Sequence, residues 1–201
     1  CGTNEACNDQ NTCECALNTV QCTPGAACTD ISECDDPIDF VDTNGDGIDG
    51  VLGDTIFVSP LGDDANDGLT PTSAVATIDV AMKKAELTNR PVILITKGDF
   101  PASGWEVPVT NTIRIIAGGY EANFLTQSTM FTQVTNTSSD PTLTVKSSTP
   151  VELRSFVLGA PQKPLFKPVL HTLKVESTEL TFVDMRVQRG SASEGIKGQD
   201  G

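Results

Sequence analysis

All seven cysteines of this 201-residue chain, Cys1, Cys7, Cys13, Cys15, Cys22, Cys28 and Cys34, fall within its first 34 residues. They stand among Asn, Thr, Asp and Gly with hardly any large apolar side chain, so the stretch cannot bury a core and needs covalent staples instead. Zinc suits the pattern poorly, because there is no C-x-x-C pair, only the C-x-C of Cys13 to Cys15, and the one histidine, His171, lies far away. Disulfides among Cys7, Cys13, Cys15, Cys22, Cys28 and Cys34 are the expectation, in an oxidising compartment, with a connectivity that spacing does not decide. That leaves Cys1, followed at once by Gly2. A mature chain opening on cysteine looks like a bacterial lipoprotein, cut just before the residue that receives the lipid, although Cys1 bridged to another chain is the alternative. No segment is apolar for long enough to span a bilayer.

Charge is as unevenly spread as cysteine. Residues 1–82 carry 16 Asp and Glu and no Lys or Arg, whereas the remaining 119 residues carry 11 acids and 13 bases. The net charge of −14 therefore belongs to the N-terminal part. Such a surface repels phosphate backbones and argues against nucleic acid as a partner. Composition divides the chain into a disulfide-rich module (1–34), an acidic glycine-rich linker (35–54), a β-rich domain (55–190) and a glycine-bearing tail or start of further repeats (191–201).

Within the third region one helix stands out. Thr77 is a natural N-cap, and Ile78, Ala81, Met82 and Ala85 recur at i, i+3, i+4 and i+7. Asp79 falls in the first turn and Lys83 and Lys84 later, as the helix dipole favours. A single short helix followed only by β-runs suits a lid and not a β–α–β protein. The runs "PVILITKG", "TIRIIAGGY", "MFTQVT", "LTVKSS", "VELRSFVL", "LHTLKVES" and "ELTFVDMRV" are short and rich in Val, Ile, Leu, Thr and Phe. Two of them repeat. Leu143, Val145, Val151, Leu153, Phe156 and Leu158 correspond to Leu173, Val175, Leu180, Phe182, Met185 and Val187, with the proline-rich "GAPQKPLFKPV" between the copies. Similarity at a fixed interval is a mark of stacked repeats.

The segments "IFVSPLGDDANDGLTPTSAVATIDVAMKKA", "RPVILITKGDF" and "IRIIAGGYEANF" resemble the opening of a family of parallel β-helix proteins that are abundant as surface lipoproteins in myxobacteria and related bacteria. "FVDTNGDGIDG" is similar to a metal-binding motif placed just before that domain, where the family usually has a cysteine at the position of Gly45. The resemblance covers about residues 35–190. It implies an all-β fold, a right-handed parallel β-helix (solenoid) with an N-terminal capping helix and a small disulfide-rich N-terminal module.

Read for its chemistry alone, "DTNGDGIDG" spaces Asp42, Asn44 and Asp46 as positions 1, 3 and 5 of a calcium loop. Gly47 falls at the tight sixth position, and Ile48 offers a backbone carbonyl. The twelfth position is Gly53, so the bidentate Glu of an EF-hand is missing, and Asp49, Asp39 or Asp54 must replace it. A solvated acidic turn is the competing reading. "GDDANDG", with Asp63, Asp64, Asn66 and Asp67, reads as a capped turn before it reads as a second calcium site. No catalytic constellation emerges. Asp184, Arg186, Arg154 and Lys174 are the only candidates for polysaccharide lyase chemistry, His171 is solitary, and Glu152, Glu176 and Glu179 are too scattered to pair as glycosidase acids.

The expectation is a non-enzymatic, exported protein of the bacterial outer membrane or cell surface, lipid-anchored at Cys1 and stabilised by disulfides and calcium. It would serve a structural, adhesive or self-assembling role, as in a filament or surface layer. Its partners would be the membrane, other copies of itself or surface glycans, with Lys163, Phe166 and Lys167 of the proline-rich loop as contacts. The alternatives are a polysaccharide lyase or hydrolase and a calcium-dependent carbohydrate-binding protein.

Overall fold

A computed structural model describes residues 5–7, 13–15, 19–20, 29–30, 35–102, 105–107, 112–136, 141–146, 149–159, 173–175 and 180–187. In the cysteine-rich region β1 (Glu5–Cys7) pairs antiparallel with β2 (Cys13–Cys15), setting the backbone of Cys7 opposite that of Cys13. Likewise β3 (Thr19–Val20) pairs antiparallel with β4 (Thr29–Asp30). Cys1, Cys22, Cys28 and Cys34, and the contacts Lys163, Phe166 and Lys167, lie outside the described residues.

Among the described residues beyond 54, every pairing between named strands is parallel. The strands are β5 (Thr55–Val58), β6 (Val92–Thr96), β7 (Gly98–Ala102), β8 (Trp105–Val107), β9 (Ile115–Tyr120) and β10 (Thr132–Asn136). They continue with β11 (Leu143–Val145), β12 (Val151–Arg154), β13 (Phe156–Leu158), β14 (Leu173–Val175), β15 (Leu180–Val183) and β16 (Arg186–Val187). Three sheets result, ordered β15-β12-β9-β6-β5, β16-β13-β10-β7 and β14-β11-β8. From β6 onward the chain visits these three sheets in the same rotation. The repeat sets the register: Leu143 pairs with Leu173, Val145 with Val175, Val151 with Leu180, Leu153 with Phe182 and Leu158 with Val187.

The assignment of an all-β right-handed parallel β-helix, a solenoid with the helix as its cap, is corrected. The described residues form a mixed structure of several small parallel sheets with one helix, α1 (Ile78–Thr88). β5 and β6 are parallel neighbours with α1 between them in the chain, which is the β–α–β connection that the sequence pattern set aside. The physical reason is the depth of the helix's apolar face. Ile78, Ala81, Met82 and Ala85 are 6%, 0%, 4% and 0% exposed and share one core with Ile56, Ile93, Trp105 and Phe156. The indole Nε1 of Trp105 donates to the Met82 sulfur at 3.2 Å. The helix begins as expected, with Thr77 Oγ1 accepting from Val80 N, and ends on Asn89 in the left-handed region at φ 54°.

β5 and β6 are buried on both faces, the state in which a parallel strand reads as a continuous apolar run. Ile56, Val58, Ile93 and Ile95 face α1 and the main core. The alternate residues Phe57, Val92 and Leu94 face a second cluster with Ala117, Tyr120, Phe124 and Ile48. Ile48 comes from the acidic segment, which therefore roofs the outer face of the five-stranded sheet.

Candidate acidic cation site

The roof is fastened at Asp49, which is fully buried. Its backbone N donates to Phe124 O at 2.9 Å, its Oδ1 accepts from Phe40 N at 3.1 Å, and its Oδ2 lies 2.6 Å from the Tyr120 hydroxyl. Phe40 and Phe124 both have left-handed backbones, at φ 61° and 53°. Each such conformation costs roughly 1–2 kcal/mol in a residue with a side chain. Packing offsets it: the Phe40 ring tilts against Tyr120 at 5.3 Å, and Phe124 meets Phe57 edge-on at 4.9 Å. Gly50, at φ 94°, passes so close to Pro37 that an added Cβ would sit 2.7 Å from the proline Cβ.

Tyr120 Oη is also 2.6 Å from the Pro37 carbonyl oxygen. A phenol carries one proton, so the Tyr120 hydroxyl donates to Asp49 Oδ2 or to the Pro37 carbonyl, one at a time. Burial pushes the Asp49 carboxyl up to about 7, against the opposing pull of the Tyr120 and Phe40 hydrogen bonds, with Asp39 and Asp35 adding to the rise. Tyr120 is in turn held well above its ordinary range by burial and by Asp49.

Around this anchor the loop hydrogen-bonds largely to itself. Asp42 Oδ2 accepts from Gly47 N at 3.0 Å and Asn44 Oδ1 from Asp46 N at 2.9 Å. Asp46 Oδ1 accepts from Ile48 N, while its Oδ2 accepts from Leu52 N at 2.8 Å and Asn44 Nδ2 at 3.1 Å. Asp39 is exposed and caps Val41 N at 2.9 Å. Two carboxylate oxygens are left over: Oδ1 of Asp42 and Oδ1 of Asp35 are buried with no hydrogen-bond partner. Asp35, 3% exposed, accepts Gly50 N at its other oxygen, and burial raises its pKa.

These oxygens are the part of the site that fits a hard cation, since a buried anionic oxygen without a partner is costly unless a positive charge meets it. Among the described residues no three His, Cys, Asp or Glu side chains gather as a metal-holding group. A cation here would draw its remaining donors from Asn44, backbone carbonyls such as that of Ile48, and water. Tyr120 and Asp35 are absent from the ligand set that the sequence suggests. Tyr120 is the only tyrosine in the chain and Asp35 directly follows Cys34, yet neither falls in a recognisable spacing.

Other candidate residues are engaged elsewhere. Asp64 accepts Ala76 N, Thr77 N and Thr77 Oγ1 ahead of α1, and Asp67 accepts Leu69 N and Ser73 Oγ, which hold its carboxyl below the usual range. Asp63 caps Ala65 N, and Asn66 donates to Ala74 O. Arg154 pairs with Glu152, and the Arg186 guanidinium lies 4.3 Å from the centre of the Phe131 ring. Asp184 is exposed at φ 51°, and Lys174 is exposed on β14. His171, Glu176 and Glu179 lie outside the described residues. Beside α1 an open groove is lined by Asp79, Met82, Lys83, Glu86, Leu87 and Glu106.

Comparison with protein families, curated proteins and solved structures finds no match to this chain. No helix among the described residues is long and apolar enough to cross a membrane.

Proposed function

We propose that this chain is a non-enzymatic structural or adhesive component of a bacterial cell surface. It is exported, anchored through a lipid on Cys1, and stapled by disulfides among the six following cysteines. Calcium at the acidic loop stiffens it. The observation that carries this reading is the fastening of residues 35–50 onto the five-stranded sheet through Asp49, Tyr120 and Pro37, beside two buried carboxylate oxygens with no partner. Such a segment serves rigidity, and a divalent cation would neutralise its crowded carboxylates. The chain's own residues offer the cation Asp42, Asn44, Asp46 and the Ile48 carbonyl. Copies of the chain or surface glycans are the partners, met through the proline-rich segment 159–169.

Sedimentation velocity of the purified chain, with calcium and then with excess chelator, tests the reading. A slower, more extended or dissociated species in chelator supports it, and superimposable profiles overturn the role of calcium. Incubation with acidic polysaccharides is the companion experiment. Release of unsaturated sugars would replace the structural reading with that of a lyase.

A further inference from the structure

We infer that the Asn44–Gly45 pair is a self-modification site. There the backbone nitrogen of Gly45 closes on the Asn44 side-chain amide to form a succinimide, which water opens to an aspartyl or isoaspartyl residue. The inference is independent of calcium.

Asn44 is the only asparagine of the chain that precedes a glycine. Any other following residue carries a Cβ that crowds the approach of its nitrogen to the preceding side chain. Gly45 is exposed, at φ 76°, and nothing stands within 4 Å of the place where a Cβ would be. Its nitrogen donates no hydrogen bond among the described residues, so the nucleophile is not engaged elsewhere. The electrophile is prepared. Asn44 Oδ1 accepts Asp46 N at 2.9 Å, which polarises the amide and stabilises the negative charge that gathers on that oxygen during attack. Asn123 is the internal comparison, since its Oδ1 accepts Leu125 N and Thr126 N but the bulky Phe124 follows it. Asn66 precedes Asp67 and donates to Ala74 O, and Asn136 precedes Thr137 and is 3% exposed.

The step needs no co-reactant but water. Gly45 N gives up its proton and bonds to Asn44 Cγ, the Cγ–Nδ2 bond breaks, and Nδ2 leaves as ammonia with a proton in place of the one given up. Water then adds at either ring carbonyl. Addition at Cγ leaves an aspartyl residue, and addition at the backbone carbonyl leaves an isoaspartyl link with an extra methylene in the main chain. Either product replaces the Nδ2 donor that Asp46 Oδ2 accepts at 3.1 Å and sets carboxylate against carboxylate. The isoaspartyl product also lengthens the chain between Asp42 and Gly47, whose 3.0 Å hydrogen bond spans this point. The loop is thereby loosened in one direction only.

Peptide mapping by mass spectrometry tests this on the full chain, folded and held at mildly alkaline pH, beside Asn44→Gln, whose longer side chain disfavours the five-membered ring. Conversion at Asn44, with isoaspartyl among the products, should run at least about tenfold faster than at Asn66 or Asn123. The corresponding peptide of Asn44→Gln should stay unaltered. Conversion at Asn44 no faster than at Asn123 overturns the inference. So does a rate in the folded chain more than about a hundredfold below that of the urea-unfolded chain, because the loop would then shield the pair. An aspartyl product without isoaspartyl would mean direct hydrolysis by water, and equal conversion of Asn44→Gln would place the chemistry elsewhere. Either result sinks the ring-closing step.

Discussion

The Tyr120 hydroxyl lies 2.6 Å from Oδ2 of Asp49 across 71 residues of chain, and it joins the acidic segment to the end of β9. It acts together with the Asp49 N to Phe124 O hydrogen bond and the buried Ile48 side chain in holding residues 35–50 against the sheet. Tyr120→Phe keeps the ring and removes the hydroxyl, leaving the Asp49 carboxyl and the Pro37 carbonyl buried without their partner. The expected loss is about 1–3 kcal/mol, the cost of an unsatisfied buried polar group, read as a lower urea midpoint with little change in slope.

The same carboxyl makes stability depend on pH. Its pKa in the folded protein, about 7, lies above the ordinary aspartate value of 3.8, so the folded state binds the proton more tightly than the unfolded state. Below the unfolded value both states are protonated and the group is neutral in its effect. As pH rises towards 7 the folded state is progressively penalised, and above that value the penalty is complete. Burial raises Asp35, Asp36, Asp54 and Asp79 in the same direction. In chelator the urea midpoint should therefore fall as pH rises from about 4 to about 7, and Asp49→Asn should flatten that slope. An equal slope in the variant would remove Asp49 as its source.

Met82 and Trp105 join the helix to the third sheet. Met82→Ala opens a cavity beneath α1 and strips the indole N–H of its acceptor, for an expected loss of about 2–5 kcal/mol. Trp105 is the only tryptophan in the chain and is 2% exposed, so its emission reports the site directly. The variant's emission should shift to the red before unfolding begins. An unmoved spectrum with unchanged stability would show that the helix is not held there.

Gly118 tests how closely the sheets meet at their corner. A Cβ there would stand 2.5 Å from Thr132 Oγ1 and 3.0 Å from Ser155 O. Thr132 Oγ1 accepts from Gly119 N and donates to Thr96 O, so it has no alternative place to go. Gly118→Ala should destabilise the fold by about 1–3 kcal/mol, as overpacking does, in thermal or urea denaturation. A neutral result would mean that the corner can open.

Much of this architecture is written locally. The period of α1 and the alternation of β10 to β13 are visible one residue at a time, and the repeat predicts which residues stand side by side, down to Leu153 opposite Phe182. Even the polar position of the repeat has a physical meaning, for Ser155 and Asp184 both turn the chain at positive φ, 57° and 51°. The role of α1 was not legible. Its apolar stripe says that it covers a core, and not that it lies between two parallel neighbours. Spacing points to a loop of oxygen donors, but not to the burial of Asp49 against Tyr120, which stands 71 residues further along the chain.

The parallel pairings also carry an order in time. Each strand from β9 onward lies against one that precedes it in the chain, never first against one that follows. A chain leaving the ribosome can thus lay each new strand on an edge already built, with β5, α1 and β6 as the foundation. The newest edge is always the unfinished one. The acidic segment, made before any of it, must wait until Tyr120 emerges before it can settle.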